Sequence, residues 1–125
     1  MAKIAIVDDS KLARTFTQAA LRKLGHTIRE IEPTSVFDVL KILRDFSPDL
    51  LLMDYLMPAC PGASLARACS EDPHLKDLKI ITITAHHDDD ASERLERMGV
   101  VGILHKPFEP QQLVDMVRDA LAPNT

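Results

Sequence analysis

Short apolar runs alternate with longer stretches of helical period along this chain. The runs cover residues 3–7, 27–31, 50–53, 79–84 and 101–104. Each is rich in Ile, Leu and Val, has strand length, and is followed by polar or turn residues. The stretches between them repeat at helical spacing. In the first, the apolar set is Leu12, Phe16, Ala19, Ala20 and Leu24, with Gly25 as a C-terminal stop. In the second, Val36, Val39, Leu40 and Leu43 share a face, Thr34 or Ser35 supplies the cap, and Pro48 lies beyond the end. The third is shorter, built on Leu65, Ala66 and Cys69 before Pro73. The fourth starts near the acidic residues 88–90, which suit a helix N-terminus, and runs through Leu95 and Met98 to Gly99. The last has Pro110 in its first turn and Leu113, Val114, Val117, Ala120 and Leu121 along one side.

Five strands alternating with five helices predict an α/β fold, a parallel sheet covered on both faces. Right-handed crossovers restrict it to a few doubly wound strand orders. Ligands of such sheets bind beyond the carboxyl ends of the strands, near the switch in strand order.

Composition narrows the function. The 125 residues make one domain, residues 1–122, with 123–125 as a frayed tail. A net charge of −4 argues against broad nucleic-acid binding, which needs a basic face. No DNA-binding segment follows the last helix, so direct transcriptional action is not expected. The first apolar run is too short for a signal peptide or a membrane span, so a cytoplasmic protein without membrane insertion is expected. Cys60 and Cys69 fit neither a disulfide framework nor a zinc site and read as reduced packing residues.

The chemistry lies at the strand ends. The first strand ends in Asp8-Asp9, the third in Asp54 and the fourth in Thr84-Ala85, while the fifth is followed by Lys106-Pro107. All belong to one edge of a parallel sheet. Two carboxylates ~5 Å apart repel by ~3 kcal/mol at an effective dielectric near 20. One lysine does not neutralise three of them, so either one stays protonated or the site holds a divalent cation. An all-oxygen site with few protein ligands suits Mg²⁺. A carboxylate can also attack phosphorus, with a metal, a lysine and a hydroxyl neutralising the phosphoryl oxygens. Asp54, standing alone at the centre, is the expected acceptor, and the pair Asp8 and Asp9 suits the metal.

Asp8-Asp9, Asp54 with Met57-Pro58 and Gly62, Thr84-Ala85 and Lys106-Pro107-Phe108 together resemble the receiver domains of bacterial two-component response regulators, including the stand-alone chemotaxis type. Each motif alone is weak; the ordered set spans nearly the whole chain. The resemblance implies a flavodoxin-like fold with strand order 2-1-3-4-5. It implies that Asp54 accepts a phosphoryl group from a sensor histidine kinase or histidine phosphotransfer protein. Asp9, Asp54 and the backbone carbonyl of Leu56 would ligate Mg²⁺, and Asp8 would hold a metal-bound water. Lys106, before a cis Pro107, would pair with the phosphoryl group, whose other oxygens would meet the Thr84 hydroxyl and the Ala85 N–H. Thr84 would then move inward and shift the face of the fourth helix, fifth strand and fifth helix, the output surface for a partner, as a change in population between two states. The domain would be a monomer or a phosphorylation-dependent dimer, and would catalyse only its own phosphorylation and dephosphorylation.

Three positions stand out. The family's aromatic switch residue, three before the lysine, is here Ile103, which points to Thr84 and loop 86–90 as the carriers of the signal. Leu56 and His86, two residues after Asp54 and Thr84, occupy positions that modulate phosphoryl lifetime in the family. An apolar Leu56 does not orient an attacking water, which favours a long-lived adduct.

Each residue also has a bland reading. Asp8-Asp9-Ser10 can simply start a helix, and Asp54, Thr84 and Lys106 singly are ordinary. Their convergence outweighs those readings. Residues 86–90, two His and three Asp, read as a charged helix start rather than a transition-metal site. A phosphohydrolase using an aspartyl phosphate would want a second aspartate where Leu56 stands. A flavin carrier would want a phosphate loop where Asp8-Asp9-Ser10 stands. A receiver used only as a phosphorylation-independent interaction module would have no need of the intact acidic set, and a receiver cut from a larger regulator would share every motif.

Overall fold

The central apolar runs become strands because their residues are buried on both sides. In β3 (Leu50–Asp54) all five residues are buried, and in β1 (Lys3–Val7) four are. The others are β2 (Thr27–Ile31), β4 (Lys79–Thr84) and β5 (Val100–His105). They pair in parallel in the order β2-β1-β3-β4-β5, the order expected from the resemblance. The structure is a computed structural model that describes residues 1–85 and 89–123, and the side chains of all of these except 89–91. His86, part of loop 86–90 and tail residues 124–125 therefore lie outside the described residues.

Helices cover both faces. α2 (Val36–Phe46), α3 (Gly62–Glu71) and α4 (Asp89–Glu96) pack on one side around Val7, Leu51, Met53 and Ile80. α1 (Lys11–Arg22) and α5 (Pro110–Leu121) pack on the other around Ile6, Leu52, Ile81 and Ile83. Ser10 caps α1 by accepting from the Ala13 N–H, and Ser35 rather than Thr34 caps α2 by accepting from Asp38. Arg44 of α2 pairs with the buried Asp72 beyond α3 at 2.5 Å, tying the two helices together. Among the described residues, no helix is long and apolar enough to cross a membrane.

Two details differ from the pattern. The inward stripe of α1 runs through Arg14, Thr17 and Leu21, whereas Leu12 is 81% exposed and Phe16 48% exposed. The true face has helical spacing but contains two polar residues, so the apolar pattern was displaced by about one residue. In β5 the partner steps from Val100 opposite Ile80 to Gly102 opposite Ile81, leaving Val101 bulged and 54% exposed. The extra residue reverses the alternation after it. Ile103 consequently packs on the α2–α3–α4 side and Leu104 on the α1–α5 side.

Candidate functional site

Register brings the acidic residues together. β1 lies beside β3 with Val7 opposite Met53, so the next residues on each chain are Asp8 and Asp54. Asp9 follows, and one carboxylate oxygen from each of Asp8, Asp9 and Asp54 lies within 4.8 Å of the others. On the other side of β3, Asp54 pairs with Ile83, one residue before Thr84. β5 in turn places His105 opposite Thr84, and the Lys106 N–H donates to the Thr84 carbonyl at 2.8 Å. Lys106 Nζ reaches Asp54 Oδ1 at 3.4 Å. The Lys106–Pro107 bond is cis. Asp8, Asp54 and Thr84 are buried, while Asp9, Ala85 and Lys106 are exposed. Leu56, in the turn after β3, is 57% exposed at the rim. Ile103 stands apart from this set, half-buried in the apolar layer.

The turns around the site are held by backbone contacts. Tyr55 donates its N–H to Ile83 and accepts from the Gly62 N–H at 2.9 Å, which fixes the chain just after Asp54. Gly62 is required there because a Cβ would lie 2.9 Å from both the Cα and the carbonyl oxygen of Tyr55. Phe108, after the cis bond, packs edge-to-face on Phe16 of α1 with centroids 6.5 Å apart, joining the Lys106 loop to the Asp9 side.

Asp8 also plays the structural role: its Oδ1 accepts the Ser10 N–H at 2.9 Å. Burial pushes its carboxyl above the ordinary value. The Ser10 N–H opposes this, the Asp54 charge adds to it, Lys106 opposes it and Asp9 adds to it. Arg14 is a residue that motif reading missed. Its guanidinium donates to the Asp8 carbonyl and lies 3.8 Å from Glu30 at the end of β2. The only sequence signal was its helical spacing with Thr17 and Leu21.

Three carboxylates against one ammonium leave an excess of negative charge. The all-oxygen donor set, partly buried and open at the strand ends, suits a hard divalent cation. The same carboxylate that faces the ammonium stands at the centre of the edge, where a nucleophile toward phosphorus would be flanked by its neutralising groups.

Comparison with known proteins gives a consistent answer. Residues 4–118 match the response regulator receiver domain. The chain is 34% identical over 115 residues to the chemotaxis protein CheY of Pseudomonas aeruginosa, covering 92% of each protein. It is 32% identical over 118 residues to the phosphate regulon transcriptional regulatory protein PhoB of the same organism, covering 94% of this chain but only about half, 51%, of PhoB. The structure superposes on CheY4 of Vibrio cholerae with a TM-score of 0.87 at 24% identity, covering 97% and 99% of the two chains, a likeness of fold.

Proposed function

This chain belongs to the response regulator receiver domain family, and on that premise we propose that Asp54 accepts a phosphoryl group from a phosphohistidine on a sensor kinase or phosphotransfer protein. The observation that carries the proposal is the cluster of Asp8, Asp9 and Asp54 within 4.8 Å, with Lys106 3.4 Å from Asp54. A carboxylate oxygen of Asp54 would attack phosphorus as the bond to the imidazole nitrogen breaks. Asp9, Asp54 and the Leu56 carbonyl would hold Mg²⁺, with Asp8 on a bound water. The cation would neutralise oxygens of the phosphoryl group. Lys106 would leave its pairing with the carboxylate for a phosphoryl oxygen, and the Thr84 hydroxyl and Ala85 N–H would hold the others. Because β4 ends on Thr84 and pairs with β5, a shift of Thr84 would be passed to the α4–β5–α5 face, the proposed output surface. Ile103 fills its place in the core as an aliphatic side chain, so the signal would travel without an aromatic rotamer. The exposed, apolar Leu56 would give an attacking water no hydrogen bond, and Leu56→Asn is expected to lose its phosphoryl group faster, read as the decay of the adduct. A cytoplasmic location follows from the same reading.

Beryllofluoride with Mg²⁺, a mimic of the bound phosphoryl group, tests the proposal in solution. Saturable amide shifts at Asp54, Thr84 and Ala85 that extend into helix α4 are expected. Shifts confined to the acidic residues would leave no switch, and no shift at all in folded protein would favour a phosphorylation-independent interaction module.

A further inference from the structure

Beside Tyr55, one residue after Asp54, a cleft of about 190 Å³ lies between α3 and α4. Its polar lining is Tyr55, Ser64, Arg67 and Arg94, and Leu95 and Met98 supply an apolar wall. No carboxylate lines it among the described residues, although the chain carries a net charge of −4. Among the described residues, every charged group lining the cleft is a cation.

Those polar groups are also underused. Among the described residues, the hydroxyls of Tyr55 and Ser64 and the guanidinium of Arg94 have no hydrogen-bond or ion-pair partner. Arg67 pairs with Glu71 at 3.5 Å, but both side chains are mostly exposed, at 74% and 69%. Such a pair is weak and easily exchanged. The planar guanidinium fork favours carboxylate and phosphate oxyanions, to which it can donate two parallel hydrogen bonds. One wall is rigid, because the backbone of Tyr55 is bonded to both Ile83 and Gly62.

We infer that this cleft binds a small organic anion, its phosphate or carboxylate head between Arg67 and Arg94 and its apolar body on Leu95 and Met98. The volume is below the ~300–1,000 Å³ of sites for drug-sized ligands, so the ligand is fragment-sized. It touches α3 through Arg67 and α4 through Arg94, and so clamps the two helices together. This site needs neither Asp54 nor a metal.

Phenylphosphonate is a suitable probe, since it has both parts and no transferable phosphoryl group. It would be titrated into ¹⁵N-labelled protein in EDTA, so that no cation draws it to the carboxylates. Saturable shifts of the Tyr55, Ser64, Arg67 and Arg94 amides are expected, with a Kd on the order of 1 mM. Arg67→Gln and Arg94→Gln, both at exposed positions, should each weaken binding by roughly tenfold. Methylphosphonate, which lacks the apolar body, should bind more weakly, and benzylammonium should not bind. Absence of saturation, undiminished binding in the double variant, or equal binding of benzylammonium would each overturn the inference.

Discussion

At the scale of single residues, the site is a place where the chain accepts electrostatic strain. Asp8 is 6% exposed, beside two other carboxylates, and Lys106 reaches toward Asp54. Because burial raises the Asp8 carboxyl above 3.8, the sign of its effect is fixed. Its contribution to stability is full below the unfolded value and is lost as pH rises through the folded one. At neutral pH the ionised group is a cost. Asp8→Asn keeps an oxygen for the Ser10 N–H and removes the charge. In metal-free buffer at pH 7 it should raise Tm by roughly 2–5 °C, about 1 kcal/mol. Added Mg²⁺ should raise Tm more in the wild type than in the variant. Thermal melts with and without Mg²⁺ check this, and a lower metal-free Tm for Asp8→Asn would show that crowding is not the dominant effect.

At the scale of elements, close approaches and ties between helices hold the site in shape. A methyl group at Gly62 would meet the backbone of Tyr55, which has no room to yield, whereas one at Gly102 would meet the flexible Met116 side chain, also at 2.9 Å. Gly62→Ala should therefore destabilise by about 2 kcal/mol or more, and Gly102→Ala by less than about 1 kcal/mol, in urea unfolding. The tie between α2 and α3 gives a pH signature. The Arg44 hydrogen bond, helped by the His74 N–H, holds the Asp72 carboxyl below 3.8. That stabilisation is present above the unfolded value and is lost as pH falls through the folded one. Asp72→Asn should lower Tm at neutral pH and show a shallower further loss on acidification below about pH 4. Parallel acid limbs in variant and wild type would contradict this.

These elements also show what was legible in the sequence. The central strands β1, β3 and β4 are buried on both faces and leave nearly continuous apolar runs, so they and the convergence of their ends could be read directly. The face of α1 could not, because Arg14 and Thr17 interrupt its apolar pattern. Nor could the bulge at Val101, since an alternation that reverses within six residues leaves no periodic signal. Arg14 escaped for a related reason: it holds a backbone carbonyl, and a carbonyl has no residue type to pair with in a motif.

At the scale of the whole molecule, the parallel sheet gathers groups from four strand ends at one edge. On the proposed reading, a covalent event at Asp54 would bias the α4–β5–α5 face, a surface made of separate elements. A bound small anion at the α3–α4 cleft would act on the same helix through Arg94. The central claim rests on the covalent event itself. Intact mass after incubation with Mg²⁺ and acetyl phosphate, with Asp54→Ala alongside, measures it directly. A phosphoryl-sized gain that needs Mg²⁺ and is absent in Asp54→Ala is the predicted result; a gain that persists in Asp54→Ala, or none in folded wild-type protein, would contradict it.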